Sequence, residues 1–236
     1  MAIVWPCPIP VDQYVLCGHE VEVPRPDCPD CLVPMTFSSG YQRWVRDAGV
    51  CHRLWIARGR CSGCRRSHAL IPSFCLLGRL DVVTTVGDAL VSVVMGDTGV
   101  RPVAIRLQVP FTTVRDWVRR FAHRAATLAA GFAALAVRFS GKAADLTAPT
   151  PAEQALIALN HAYGRVVTRS DAGLIPDAFG FASLVTGGAM IATAANPPWL
   201  ILGTKRFIPP VPQFQDQQPR PRRYGLAVME EDGSPV

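Results

Sequence analysis

Four of the eight cysteines in this chain form two pairs whose members are separated by two residues. Cys28 and Cys31 lie in "CPDC", and Cys61 and Cys64 lie in "RCSGC" after the 29 residues 32–60. Two such pairs supply the four thiolates of a tetrahedral structural Zn2+ site, with no position left for a water or a substrate. The spacing therefore predicts one structural Zn2+ with four ligands: Cys28, Cys31, Cys61 and Cys64.

Other chemistry is open to these cysteines. A single C-x2-C pair beside a βαβ pattern is typical of a redox dithiol, but neither pair has that context. Two unrelated pairs of buried thiols are a second alternative. His68, four residues after Cys64, is expected on the surface as a hydrogen-bonding residue and not as a ligand. The remaining cysteines are expected to be buried as small apolar residues: Cys7, Cys17, Cys51 and Cys75.

The two cysteine pairs need an element that brings them together. Residues 35–46, "MTFSSGYQRWVR", and 50–61, "VCHRLWIARGRC", are rich in aromatic and β-branched residues, and "DAG" at 47–49 separates them. This pattern predicts a β-hairpin with the two cysteine pairs at its ends. The gap is longer than in the shortest zinc ribbons and leaves room for another pair of strands.

A second candidate site lies in "VRPVAIRLQVPFTTVRDWVRRF", residues 100–121. A helix-turn-helix needs a small residue in its first helix, a tight turn and apolar residues at fixed offsets. Ala104 is the small residue. Gln108 holds the turn position where Gly is usual, at a cost of about 1 kcal/mol for a left-handed conformation. The expected core contacts are Val103, Leu107, Val114, Trp117 and Val118.

Positive charge is concentrated in the same segment. Between residues 101 and 124 there are six Arg and one acid, Asp116. We expect the helix that starts at Thr112 to enter the major groove of double-stranded DNA, with Arg115 and Arg119 as base or phosphate contacts. The two threonines would cap the helix or touch DNA. The predicted DNA-binding residues are Arg101, Arg106, Thr112, Thr113, Arg115, Arg119 and Arg120. A basic helical hairpin without a DNA role is the alternative.

Helical spacing of apolar residues predicts the surrounding elements. Helices are expected over 81–96, with Asp81 at the start, and over 100–107 and 112–139. The capping signature at 150–153 predicts a helix over 152–168. A further helix is expected from 176–177 to just before 196.

The predicted helix 112–139 carries a heptad seam from Val114 to Phe139, in alternating steps of four and three. Such a seam packs against a partner helix over several turns. The partner is either the chain's own helix 152–168 or a second copy. A homodimer through residues 121–139 would present two recognition helices to a palindromic site.

Composition limits the possible classes of protein. The 236 residues carry a net charge of +6 and are 49% hydrophobic, which suits one large domain or a few small ones. Of the 24 basic residues 22 are Arg, a bias that fits phosphate contacts and equally a GC-rich genome. "MAIVWPCPIP" lacks a secretory pattern, so a cytoplasmic location is expected. The uncharged segment 178–204 is interrupted by Gly and Pro and is expected to be buried and not to span a membrane.

The order of these motifs carries a resemblance. The cysteine pairs, "HALIPSF" at 68–74 and "VAIRLQVPFTTVRDWVRRF" at 103–121 resemble the N-terminal part of insertion-sequence transposases. They resemble even more a family of short bacterial proteins that travel with mobile elements. Those proteins share the ribbon, the helix-turn-helix and a C-terminal "NPPW…PPVP" segment, here residues 196–199 and 209–212.

The resemblance implies a zinc-stabilised, sequence-specific DNA-binding protein of transposition or recombination, with a transposase or recombinase as a further partner. Full transposases carry a ribonuclease-H-like domain whose three carboxylates hold two metal ions. This chain has few acids after residue 145 and too few residues for that domain. The expectation is therefore a non-enzymatic accessory factor or regulator that does not catalyse strand transfer. The rival is a structural assembly protein that binds a recombinase or transposase instead of DNA.

The expected fold class is α+β: a small zinc-ribbon β-domain with four cysteine ligands, then a mostly helical helix-turn-helix region and C-terminal helices. The expected divisions are an irregular N-terminal segment 1–27, the zinc ribbon 28–75, the helix-turn-helix region 81–139, a helical region 150–208 and a Pro- and Arg-rich tail 209–236.

Overall fold

The computed structural model describes residues 2–96, 98–141, 147–168 and 175–192. These residues form an α+β fold with one four-stranded sheet and six α-helices, which confirms the fold class at this level. The strands are β1 (Ala2–Trp5), β2 (Met35–Asp47), β3 (Val50–Cys61) and β4 (Ser67–Pro72). The helices are α1 (Val11–Cys17), α2 (Val83–Val94), α3 (Val100–Arg106), α4 (Phe111–Ser140), α5 (Pro151–Val167) and α6 (Ala178–Val185).

The predicted β-hairpin is confirmed as β2 and β3. The strands pair antiparallel from Met35 opposite Cys61 to Asp47 opposite Val50. Ala48 and Gly49 form the turn with φ of 43° and 87°, the positive values that let a two-residue turn follow the twist of its strands. Within the part of the chain that the structure describes, the residues between the two cysteine pairs form β2 and β3 and no further pair of strands. The two strands are long, with one register shift between Phe37 and Ser39.

The N-terminal segment is not irregular, so that prediction is wrong. β1 pairs parallel with β4, and the sheet order is β1-β4-β3-β2. The ring of Tyr14 on α1 packs edge-on against Phe74 at 5.3 Å, and its hydroxyl donates to the Trp55 carbonyl at 2.9 Å. The segment thus belongs to the same sheet and core as the hairpin.

The tip of the hairpin is fixed to α2. The guanidinium of Arg46 pairs with the buried carboxylate of Asp81 at 2.7 and 3.1 Å. The hydroxyl of Thr85 donates to Asp47 at 3.1 Å and accepts from the Ala48 amide at 3.2 Å. Asp81 was expected to start a helix; it serves the hairpin instead, and α2 begins at Val83 without a side-chain cap.

The heptad seam of α4 is covered by the chain itself. Its buried members are Val114, Phe121, Ala125, Leu128, Phe132 and Leu135. α5 packs along α4 and buries its own small stripe of Ala155, Leu159, Ala162 and Val166. This is the intramolecular partner that the sequence offered as one of two choices. A homodimer through 121–139 would need a face that α5 already occupies.

The ends of the helical region follow their capping residues. The Thr150 hydroxyl accepts from the Glu153 amide at 3.2 Å and donates to the Glu153 carboxylate at 2.9 Å, so the predicted capping signature is confirmed. Asp177 caps α6 by accepting from two amides, each at 2.8 Å. α6 ends at Val185, earlier than expected, because Gly187 and Gly188 adopt positive φ.

Within the described residues no helix is both long enough and apolar enough to cross a bilayer. The "NPPW…PPVP" segment and the predicted tail 209–236 lie outside the described residues, as does the end of the predicted region 150–208.

Candidate metal centre and nucleic-acid interface

The four paired cysteines form one cluster at the open end of the hairpin. The sulfur atoms of Cys28, Cys31, Cys61 and Cys64 all lie within 4.8 Å of one another. The Cys28 and Cys64 sulfurs are 3.7 Å apart. A tetrahedral ion with metal–sulfur bonds of about 2.3 Å separates its sulfur ligands by about 3.8 Å. The cluster could therefore bind one metal ion, as the spacing in the sequence predicts.

The two C-x2-C pairs have the same backbone conformation. The residue after the second cysteine of each pair is left-handed: Leu32 has φ 56° and Arg65 has φ 59°. The Cys61 amide donates to the Arg66 carbonyl at 3.0 Å, and the Cys28 amide donates to the Val33 carbonyl at 2.9 Å. Each pair is thus a closed turn that holds its two sulfurs on the inner side.

The electrostatics of the cluster favour a cation. A hydrogen bond from the Cys64 backbone amide is the main cause that lowers the pKa of Cys61 to about 7. The thiol of Cys64 is the main cause that raises the pKa of Cys31 to about 12. Four neighbouring thiols do not all ionise together, because each thiolate raises the pKa of the next. A divalent cation removes this obstacle.

His68 is buried beside the cluster, so its predicted surface position is wrong. Its Nε2 lies 3.8 Å from the Cys28 sulfur. Burial lowers the pKa of His68. The missed signal is the alternation in β4, which places His68 and Leu70 on one face of a strand whose inner side is core. A salt bridge between Arg66 and Asp30 at 2.8 Å links the two turns nearby.

The other cysteines divide into two groups. Cys7 and Cys75 are buried as predicted, and burial raises the pKa of each to about 12. Cys17 is half-buried and Cys51 is exposed, so the expectation of burial is wrong for Cys51. Across the described part of the chain, no second group of His, Cys, Asp or Glu side chains is placed to hold a metal.

The segment predicted as a helix-turn-helix consists of α3, a tight turn and the start of α4. Ala104 is buried, and its carbonyl accepts from the Val109 amide at 3.0 Å. Gln108 has φ 53°, the left-handed value that its turn position was expected to require. Of the five expected core contacts, Val118 is half-buried. The other four are buried: Val103, Leu107, Val114 and Trp117.

The start of α4 presents a basic surface to solvent. Arg101 on α3 and Arg115 both lie over the ring of Phe111, at 5.4 and 5.8 Å from its centroid. Thr112 and Arg119 are exposed on the same side of the helix, away from buried Trp117. We call Arg101, Phe111, Thr112, Arg115 and Arg119 the recognition surface. Phe111 was not predicted; its signal is an aromatic residue between two arginines, directly after the turn.

Two predicted DNA contacts lie away from this surface. Arg106 is held by Asp88 at 2.6 and 2.9 Å and by the Ser92 hydroxyl at 2.8 Å, so it joins α3 to α2. Arg120 lies half-buried on the flank of α4. Burial lowers the pKa of Arg124, and the nearby charge of Arg120 lowers it further.

The predicted threonine cap is absent. The N-cap of α4 is Pro110, with no side-chain hydrogen bond. Thr112 and Thr113 therefore lie inside the first turn, where their hydroxyls cannot take the capping position. Thr112 is exposed and Thr113 is half-buried, so the structure brings only Thr112 fully to the recognition surface.

Comparison with known proteins gives no match: no family model, no curated protein and no solved structure is significantly similar to this chain.

Proposed function

We propose that this chain is a zinc-stabilised, sequence-specific DNA-binding protein that serves transposition or recombination as an accessory factor or regulator. The observation that supports this proposal most strongly is the recognition surface. The guanidiniums of Arg101 and Arg115 lie over one exposed aromatic ring, Phe111, at the start of a helix that follows a left-handed turn. This is the position at which helix-turn-helix proteins meet base edges in the major groove.

Each residue of the recognition surface has a distinct role in the proposal. Arg115 and Arg119 lie on the helix that enters the groove, and arginine is the side chain that binds guanine through two hydrogen bonds. Asp116 lies 3.3 Å from Arg119 and is partly exposed, so this weak pair separates at little cost on binding. Arg101 contacts phosphate, and Phe111 holds the guanidiniums of Arg101 and Arg115 in place before DNA arrives.

The proposed metal is Zn2+, bound by Cys28, Cys31, Cys61 and Cys64. Its role is structural, because four thiolates complete the coordination shell. It closes the end of the β2–β3 hairpin whose other end is fixed to α2 by Arg46 and Thr85. Since α2 is in turn joined to α3 through Asp88 and Arg106, the metal supports the helix pair from a distance.

A selection experiment tests the DNA-binding proposal without knowledge of the target. The purified protein is mixed with duplexes that carry a randomised central region, and bound duplexes are amplified and sequenced. We expect a defined sequence to be enriched. On that sequence, Arg115→Ala should weaken binding by about 1–3 kcal/mol and relax the preference at one base pair.

Arg138→Ala is the matched control, because it removes one exposed arginine from the far end of the same helix. It should leave binding unchanged. The proposal fails if no sequence is enriched, or if Arg138→Ala and Arg115→Ala weaken binding equally. Retention of a transposase or recombinase by a chain that does not retain DNA would instead favour the assembly role.

A further inference from the structure

One face of the β2–β3 hairpin exposes aromatic rings that the proposed function does not use. Trp44 is 57% exposed and Phe37 is 43% exposed. Trp55 lies over Gly40, where an added Cβ would come within 2.8 Å of the indole nitrogen. Glycine at this position therefore allows the indole ring to lie flat on the strand.

The strand register places these rings on one side of the sheet. Trp44 pairs with Arg53, and Phe37 pairs with Gly59. Residues 53, 55 and 59 are separated by even steps along β3, so the side chains of Trp44, Trp55 and Phe37 share a face. Tyr41, an odd step from Trp44, lies on the opposite face. We call the set of Arg25, Phe37, Trp44, Arg53 and Trp55 the stacking face.

Cations accompany the rings of the stacking face. The Arg53 guanidinium lies over the Trp44 ring at 5.8 Å, and the Arg25 guanidinium lies over Phe37 at 5.3 Å. Both arginines are exposed, and neither has a carboxylate partner among the described residues. The two strands together carry five arginines and one acid, Asp47, which is hydrogen-bonded to Thr85 at the tip.

We propose that the stacking face binds an unpaired DNA strand. Exposed aromatic rings on which bases stack, beside cations that meet the phosphates, are what proteins use to bind single strands without reading their sequence. The positive charge of the face suits a polyanion and disfavours a purely apolar partner. The choice of DNA over RNA rests on the proposed function, since the same chain would hold duplex DNA at the recognition surface.

The dimensions of the hairpin set the length of strand required. From the level of Phe37 to that of Trp44 there are six residue steps along β3, or about 20 Å at about 3.3 Å per residue. At a stacked spacing of about 3.4 Å, about six nucleotides reach across the face. An oligonucleotide of three nucleotides cannot contact both ends.

Fluorescence anisotropy with labelled oligothymidylates of 3 and 12 nucleotides tests the proposal on the full, zinc-loaded chain. We expect the 12-mer to bind and the 3-mer to bind at least tenfold more weakly. Trp44→Ala should weaken binding of the 12-mer about tenfold. Trp44→Phe should retain most of the affinity, because a phenyl ring still stacks.

Tyr41→Ala is the matched control, since Tyr41 is a partly exposed aromatic residue of the same strand on the opposite face. It should leave the affinity for the 12-mer unchanged. Circular dichroism verifies that each variant is folded. The proposal is overturned if Tyr41→Ala and Trp44→Ala weaken binding alike, or if an oligouridylate binds more tightly than the oligothymidylate. It is also overturned if Trp44→Ala abolishes self-association instead, which would make this face an interface between copies.

Failure of this proposal and failure of duplex recognition give different results. Arg115→Ala should weaken binding of the selected duplex and leave binding of the 12-mer intact. Trp44→Ala should do the reverse. Loss of both activities in either variant would contradict two separate surfaces.

Discussion

The contact between the hairpin tip and the α3–α4 turn predicts the effect of a substitution at Gly49. Gly49 has φ 87°, and a Cβ built on it would come within 2.9 Å of the Gln108 Cβ. Carbon atoms pack at about 3.5–4.0 Å, so the two turns must separate in a Gly49→Ala variant. If the hairpin and the helix pair are one unit, this substitution should destabilise both.

The expected loss of folding free energy in Gly49→Ala has two parts. The left-handed conformation costs an alanine about 1–2 kcal/mol. Overpacking between the turns adds about 1–3 kcal/mol. Gly78→Ala provides the comparison, because Gly78 has φ 64° and nothing lies within 4 Å of its added Cβ. Gly78→Ala should lose only the stability that the left-handed conformation costs. The free energies of unfolding of the two variants should therefore differ by about 1–3 kcal/mol.

Urea unfolding of the zinc-loaded chain, followed by tryptophan fluorescence, measures the difference. The buried Trp117 contributes the signal of the helix pair, beside the tryptophans of the sheet. Replacing Gln108 with Gly removes the side chain that the new methyl group meets. In that background Gly49→Ala should cost no more than Gly78→Ala. Equal destabilisation by Gly49→Ala and Gly78→Ala in the original background would refute the docking of the two turns.

Three further results are expected. Elemental analysis should find one Zn2+ per chain; Cys61→Ser should lose it, and Cys51→Ser, an exposed cysteine of the same strand, should keep it. Leu135→Glu should unfold the chain by placing a charge between α4 and α5, at a cost of about 3 kcal/mol or more; a folded variant of half the native mass by light scattering would instead indicate a dimer. Arg106 lowers the pKa of Asp88, so their ion pair should stabilise the fold above pH 3.8, the ordinary pKa of this carboxyl, and the stabilisation should disappear as the pH falls through the lowered pKa of the folded state. Urea titrations should show that Asp88→Asn loses this stabilisation. Because the pair is about half exposed, the loss should be below about 1 kcal/mol.

Features set by neighbouring residues could be predicted from the sequence. The turn of each cysteine pair, the "DAG" turn and the Thr150–Glu153 cap each depend on contacts within a few residues, so their geometry follows from residue type and spacing. The left-handed Gln108 belongs to the same group, because a short turn between two helices requires such a residue.

Features that depend on distant partners were missed. The pairing of Ala2 with Ala69 joins two short strands whose apolar residues carry no signal of their mutual register. Asp81 has the composition of a helix start, yet its carboxylate is taken by Arg46 across the hairpin. The burial of His68 likewise follows from the sheet and not from its neighbours in sequence. In each of these three cases the residue that makes the contact lies more than thirty positions away in the sequence.

The salt dependence of duplex binding tests DNA recognition most directly. The affinity for the selected duplex is measured by anisotropy over a range of salt concentrations. If Arg101 neutralises a phosphate, and the guanidiniums of Arg115 and Arg119 each displace one further counterion when they enter the groove, the plot of log K against log salt should have a slope of about −2.7. Arg101→Ala should reduce the magnitude of that slope by about one, whereas Arg138→Ala should not. A flat plot, or a slope that Arg101→Ala and Arg138→Ala change equally, would contradict DNA binding through the start of α4.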